Sequence, residues 1–392
     1  MVVAGARPNF MKIASLIEAI DSHNLSRKTP RIQRALVHTG QHYGEQMSNA
    51  FFKDLEITLP DVDLEVGSAS HAQQTAEIMK RIETVLLNEL PDVLLVVGDV
   101  NSTLACSLVA SKINYPSGSS RTRPLIAHVE AGLRSFDRSM PEEINRMVTD
   151  VLSDFLFTTE ETAAENLRRE GVSEAKIHWV GNTMVDTLLR HRKKAEGSGI
   201  LSRLGLLSST TGEHQAYAIV TLHRPSNVDK PEVFGEILEA LSALAKETMV
   251  LFPVHPRTAN RIKEFNHETH FDFFGEVQPV NLGSSRIQCI PPLGYLDFLW
   301  LMSNSRLMLT DSGGIQEETT VLGIPCVTLR ENTERPVTIS SGTNVLAGTK
   351  KESILRLALA KMESNARTEP PKYWDGKAGA RIIQVLTEAV LL

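Results

Sequence analysis

The chain reads as an α/β protein of two Rossmann-like, doubly wound domains facing a cleft, and three observations predict it. Short apolar runs alternate with amphipathic segments along the whole length, the signature of parallel βαβ units. The pattern breaks in the Gly- and Ser-rich polar stretch Glu196–Gln215, which reads as a loop near the junction, and then restarts. At 392 residues and 42% hydrophobic content, the chain has the material for two full cores rather than one.

The first strand opens almost at Met1, in MVVAGARPNF, and is short: either an economical strand or one lacking its first residues. RALVHTG (Arg34–Gly40), DVLLVVGD (Asp92–Asp99), PLIAHVE (Pro124–Glu130) and DFLFTTE (Asp154–Glu160) follow as buried strands, with QTAEIMKRIETVLLNEL and STLACSLVASKI as helices between them. In the second half AYAIVTLH, TMVLFPVH, RIQCIPP, RLMLTD and PCVTL read as strands, and PEVFGEILEALSALAKE as a helix. In open parallel sheets ligands bind beyond the carboxyl ends of the strands, so the polar residues gathered there are the ones to weigh.

Bulk properties exclude some functions. A net charge of −6 and a pI near 6.1 argue against a nucleic-acid or membrane-surface partner. No apolar run is long enough to span a bilayer, and no basic leader precedes a long apolar block. The three cysteines, Cys106, Cys289 and Cys326, are far apart, lack metal-ligand spacing and sit in apolar contexts, which fits structural thiols in a reducing cytoplasm.

Six strand ends carry candidate chemistry. GARPNFMK places Arg7 and Lys12 where the first strand turns into a helix. Cations there oppose the helix dipole, so a shared anion would explain them. Asp99 follows one strand and Glu130 another, and PEEINRM opens a helix at Pro141 with Glu142 and Glu143 in its first turn. Alone, Glu142 reads as a helix-start carboxylate paired with the helix dipole or with Arg146 at i+4. Together, Asp99, Glu130 and Glu142 are a cluster suited to general acid–base work. His223 and His255 stand at strand ends in the second half, and imidazole titrates near neutral pH. Finally, LTDSGGIQEET joins a strand to a helix. Ser312, Gly313 and Gly314 can offer hydroxyl and amide groups to phosphate oxygens, and Glu318 lies within about one turn of them at ~1.5 Å per residue. An anion site with a carboxylate suited to a vicinal diol fits a nucleoside diphosphate. Glu317 reads as solvent-facing or as charge complementing the helix start. Neither a P-loop nor a dinucleotide fingerprint is present, so an NTPase or NAD enzyme is not indicated.

GARPNFMK, TGQHY, GDVNSTLA, HVEAGLR, PEEINR, GNTMVD, PVHPRT, TDSGGIQEE and TERP occur here in order. As a set they resemble the non-hydrolysing UDP-N-acetylglucosamine 2-epimerases over essentially the whole chain. The resemblance implies a glycosyltransferase-B-like fold, with residues 1–181 and a returning C-terminal helix, 376–392, in the first domain and 182–375 in a UDP-binding second domain. It implies Ser312, Gly313 and Gly314 on the diphosphate and Glu318 on the ribose. Arg7 and Arg335 would assist the phosphates and Phe298 would lie near the uracil. Lys12, Arg146 and His255 join the substrate-binding set, and Asp99, Glu130, Glu142 and His223 match the catalytic positions. The implied reaction interconverts UDP-N-acetylglucosamine and UDP-N-acetylmannosamine by eliminating UDP to a 2-acetamidoglucal and adding it back. No cofactor or metal is needed, and a homodimer is the implied assembly.

The chain departs from the family at Ala6 and Asn9, where GTRPE is common, and at Pro225 and Ser226, where HRRE is common. Gln41 and His255 match contacts to a second, activating substrate molecule, whereas Gly44 and Pro225 remove two others, so independence from that activator is expected. Rival readings are a hydrolysing 2-epimerase releasing UDP and N-acetylmannosamine, a UDP-sugar glycosyltransferase, and a non-enzymatic nucleotide-sugar sensor.

Overall fold

The computed structural model describes residues 1–5, 7–26, 28–40, 55–207, 214–364 and 369–390, the side chains of Arg7, Pro8 and Val390 excepted. Ala6, Gln41 and Gly44 lie outside the described residues. The chain divides into two compact units, Met1–Leu189 with Lys372–Leu392, and Arg190–Pro371.

The first unit is built on a 7-stranded sheet ordered β3-β2-β1-β4-β5-β6-β7. Its strands are β1 (Val2–Ala4), β2 (Leu36–His38), β3 (Val62–Asp63), β4 (Val93–Val97), β5 (Leu125–Val129), β6 (Phe155–Thr158) and β7 (Ile177–Trp179), each parallel to its neighbours. Strand order reverses between β1 and β4, the switch point at which doubly wound sheets open a crevice. On one face Val3, Val37, Leu94, Val96 and Ile126 pack against Ile78, Ile82 and Leu86 of helix His71–Glu89 and Ala105, Cys106 and Val109 of helix Asn101–Lys112. Helix Ala378–Val390 lies on helix Arg7–Leu25, so close that a Cβ on Gly379 would stand 2.8 Å from the Ser15 carbonyl oxygen. Its first amides, of Ala378 and Gly379, donate to Asp186 at 3.1 and 2.8 Å, an N-cap supplied from another helix. Burial pushes the Asp186 carboxyl up to about 6.

The second unit repeats the plan in a 7-stranded sheet ordered β10-β11-β9-β8-β12-β13-β14. Here β8 is Tyr217–Thr221, β9 Met249–Pro253, β10 Phe271–Phe273, β11 Ile287–Ile290, β12 Leu307–Thr310, β13 Cys326–Thr328 and β14 Asn344–Leu346, again all parallel. Val220, Val250, Phe252, Leu309 and Val327 meet Phe234, Ile237, Leu238 and Leu241 of helix Pro231–Leu244. The switch point lies between β8 and β12.

The stretch expected to be loop between the two patterns is only partly so, because Ile200–Arg203 forms a helical turn, with Ile200 and Leu201 buried. All three cysteines are free and buried, and burial pushes the Cys106 and Cys289 thiols up to about 12 and that of Cys326 to about 11. Among the described residues no helix is long and apolar enough to cross a membrane.

Candidate active site

In the first unit the chemistry stands on adjacent strands. β4 and β5 pair up to Val97↔Val129, so Asp99 and Glu130 leave neighbouring strand ends. Glu130 holds a left-handed backbone, φ 72°, which costs a non-glycine residue roughly 1–3 kcal/mol and persists where surrounding structure demands it. Its carboxylate is 2% exposed and takes the Lys12 ammonium at 2.6 Å. Lys12, for which the sequence pointed to a shared anion, is therefore engaged by a carboxylate of the chain itself. Gly98 makes that pairing possible: a Cβ there would stand 2.9 Å from Lys12 Nζ. Asn9, at the start of the same helix as Lys12, joins the two strands of the switch point. It accepts from the Gly5 amide at 3.3 Å and donates to the Val97 carbonyl at 2.9 Å.

Helix Pro141–Leu152 delivers the next group. Its first turn carries Glu142, exposed, and Glu143, buried. Arg146 does not take Glu142 as the i+4 spacing suggested. It binds Asp99 through Nε at 3.1 Å and Nη2 at 2.9 Å, and Nη1 meets Glu143. Glu143 lies inside because it accepts the Ser135 and Phe136 amides at 3.0 and 2.9 Å, which ties the preceding loop to the helix start. Glu142 is left facing solvent.

Beneath these acids lies a network that local sequence reading missed. His128, fully buried, reaches Asp150 at 2.6 Å through Nδ1 and the Gly98 carbonyl at 2.8 Å through Nε2. Asp150 also binds Arg134 at 2.7 Å, and Arg134 continues to Glu170. Burial raises the Asp150 carboxyl, but His128 and Arg134 outweigh it and hold it below its ordinary value. The signal available was the HVEAGLR stretch itself, but the partner acid lies on a different helix.

In the second unit the ends of β8 and β12 carry His223 and the Asp311–Ser312–Gly313–Gly314 turn. Ser312 caps helix Gly313–Leu322 without a side-chain bond to its first turn. Gly313 cannot be larger, because a Cβ would stand 2.9 Å from Glu334 Oε1 and 3.0 Å from Arg335 Nη1. Those atoms belong to a buried ionic cluster. Arg335 binds Glu317 at 2.7 Å and Glu334 at 2.9 Å, Arg330 binds Glu334 at 2.9 Å, and Arg224 approaches it at 3.4 Å. Among the described residues, three guanidiniums meet two carboxylates, Glu317 and Glu334, one cation more than anions, beside a helix start that itself favours anions. Glu317 is thus fully buried on Arg335, and the expectation of a solvent-facing side chain is corrected. Glu318 is 5% exposed. Burial, and then the charge of Glu317, push its carboxyl up to about 8, and burial with Glu318 pushes the Tyr295 phenol well up.

His223 is anchored by Asp311, the strand-end acid that the sequence reading passed over. His255 caps helix Pro256–Glu264, its Nδ1 accepting from the Arg257 amide at 3.3 Å, and is exposed. Phe298 is half-buried on helix Tyr295–Ser303, and Arg7 opens helix Arg7–Leu25 with its side chain outside the described residues.

Two doubly wound sheets, each with its charged residues beyond the carboxyl ends of its strands, define a two-domain Rossmann-like enzyme of the glycosyltransferase-B type. Comparison with known proteins narrows this. A family model for UDP-N-acetylglucosamine 2-epimerase matches residues 24–387. The chain is 41% identical to UDP-N-acetylglucosamine 2-epimerase of Methanocaldococcus jannaschii over 98% of both chains. It is 37% identical to UDP-2,3-diacetamido-2,3-dideoxy-D-glucuronate 2-epimerase of Pseudomonas aeruginosa over 99% of both. The crystal structure of the M. jannaschii UDP-GlcNAc 2-epimerase in complex with UDP-GlcNAc and UDP aligns with a TM-score of 0.83 at 40% identity, covering 99% of each chain. The chain belongs to the UDP-N-acetylglucosamine 2-epimerase family.

Proposed function

We propose that this protein epimerises carbon 2 of UDP-N-acetylglucosamine, reversibly giving UDP-N-acetylmannosamine. The observation that carries the reading is the pairing of residue types at the two switch points: acids paired with Lys12 and Arg146 in the first unit, and a cation-rich helix start in the second. The nucleotide end of the substrate falls to the second unit. Ser312, Gly313 and Gly314 serve the diphosphate, with Arg335 and Arg7 assisting, Glu318 serves the ribose and Phe298 the uracil. The sugar end falls to Asp99, Glu130, Glu142 and His223, with Lys12, Arg146 and His255 as supporting contacts.

A base removes the carbon 2 proton while the bond from carbon 1 to the diphosphate oxygen breaks. The electron pair of the C–H bond becomes the carbon 1–carbon 2 double bond, and the departing pair stays on UDP. Re-addition runs the same steps backward with the proton delivered to the other face, which requires an acid and a base on opposite sides of the ring. Surplus positive charge near the diphosphate lowers the barrier to departure.

The test is incubation of the protein with UDP-N-acetylglucosamine alone, followed by proton NMR. The expected product is UDP-N-acetylmannosamine with the nucleotide still attached. Free N-acetylmannosamine plus UDP would point to the hydrolysing reaction, and a requirement for an acceptor would point to glycosyl transfer. The same experiment with a 2,3-diacetamido uronic acid substrate checks which sugar is preferred. Free, buried thiols support a cytoplasmic setting. Family likeness supports a homodimer, and light scattering that returns a monomer mass would remove it.

A further inference from the structure

Asp311 is the best-connected buried acid of the second unit, and the roles assigned above leave it without one. It directly follows β12, is fully buried, and accepts from four donors on the segment that follows β8. These are the His223 amide at 3.1 Å, the Arg224 amide at 3.0 Å, the Asn227 side chain at 3.3 Å and the His223 ring Nδ1 at 2.9 Å. Asn227 also donates to the Leu329 carbonyl at 2.9 Å, so the clamp is fixed to the next strand turn as well. Burial raises the Asp311 carboxyl, but the bonds from His223 and Arg224 outweigh it and hold it below its ordinary value. An ionised carboxylate can only accept, so Nδ1 must carry a proton.

We propose that Asp311 is the positioning residue of His223: it fixes the Nδ1–H form and the ring plane, and leaves Nε2 as the working nitrogen. The inference rests on the reading of His223 as a group that acts on the substrate. The His223 side chain is 56% exposed while its Nδ1 edge is held by a fully buried acid, so one edge is committed and the other is open to a ligand. When the diphosphate oxygen gains charge as its bond to carbon 1 breaks, a proton on Nε2 can be donated to it. The ring carries its positive charge against Asp311 before that transfer, and donation from Nε2 leaves it neutral in the Nδ1–H form. The neighbouring charges do not compete for the ring, since Arg224 is turned toward Glu334.

A purely structural role, in which Asp311 only ties β12 to the turn after β8, predicts loss of stability and nothing else. The test uses Asp311→Asn and His223→Ala in the full chain, singly and together. Nitrogen NMR of histidine-labelled protein should report Nδ1–H at His223 in the parent and a shift toward Nε2–H in Asp311→Asn. Turnover in Asp311→Asn should fall about 10²-fold or more, the lower end of an acid–base contribution, with UDP affinity within three-fold and a displaced acidic limb of the pH–rate profile. Added to His223→Ala, Asp311→Asn should cost no further turnover, because the two act as one unit. An unchanged His223 proton position in Asp311→Asn would overturn the proposal. An undiminished loss of turnover in the His223→Ala background would overturn it too. If His223→Ala kept full turnover, the reading of His223 would fail instead, and the NMR result would still decide whether Asp311 sets the ring.

Discussion

The two units are both seven-stranded parallel sheets with the switch point beside their first strand, and although their strand orders differ in one position they carry opposite electrostatics at the strand tips. In the first, Glu130 pairs with Lys12 while Asp99 and Glu143 share Arg146, so among these described residues three acids meet two cations. In the second, Arg224, Arg330 and Arg335 gather around Glu334 and outnumber the acids they touch. The scaffold supplies positions, and the tip residues decide whether a position moves protons or holds an anion.

The largest effect is expected from the acid half. Glu142→Gln keeps size and removes basicity, and should lower turnover by about 10²–10⁴ while leaving UDP affinity within a few-fold. Full turnover would return Glu142 to an ordinary helix-start carboxylate, which its exposure alone would also allow. The anion half is probed by Glu318→Ala, which should weaken UDP itself, without any sugar, by about 0.5–1.5 kcal/mol near neutral pH, where the carboxyl holds its proton. Unchanged affinity in calorimetry would move the nucleotide elsewhere.

Glu318 also ties stability to pH. Its carboxyl rises from an ordinary 4.5 to about 8 in the fold. Between those values the folded state holds a proton that the unfolded chain has released, so this group's contribution is complete below 4.5 and is lost as pH climbs through about 8. Thermal midpoints measured from pH 5 to 9 should fall with rising pH, and Glu318→Gln should flatten that slope. A parallel slope in the variant would assign it to another group.

The smallest effect is an absence. Pro225 opens a short helix, offers no side-chain donor and lacks an amide N–H, and its neighbour Arg224 is turned to Glu334. UDP-N-acetylmannosamine alone should therefore react without a lag and along a hyperbolic rate curve. A lag abolished by a trace of UDP-N-acetylglucosamine would show that other residues rebuild an activator site.

What the sequence disclosed follows burial. The interior strands announce themselves as continuous apolar runs because both faces are covered. The four strands it concealed, β3, β7, β10 and β14, are the edges of the two sheets. They are two or three residues long and carry Asp63, His178, Asp272 and Asn344, so they form no run at all. The site divides in the same way. Strand-end residues such as Asp99, Glu130 and His223 are visible because a polar side chain closes an apolar run. Their partners are not: Lys12 and Glu130 are 118 positions apart, and local spacing assigned Arg146 to Glu142 when its real partners are Asp99 and Glu143. The solvent-facing reading of Glu317 failed for the same reason, since Arg335 lies beyond the next strand.

The central claim is that UDP leaves and returns while carbon 2 loses and regains its proton. Turnover of UDP-N-acetylglucosamine in heavy water, followed by proton NMR, tests it most directly. The account predicts deuterium at carbon 2 in both epimers, without added NAD. Interconversion with the original proton fully retained at carbon 2 would contradict it.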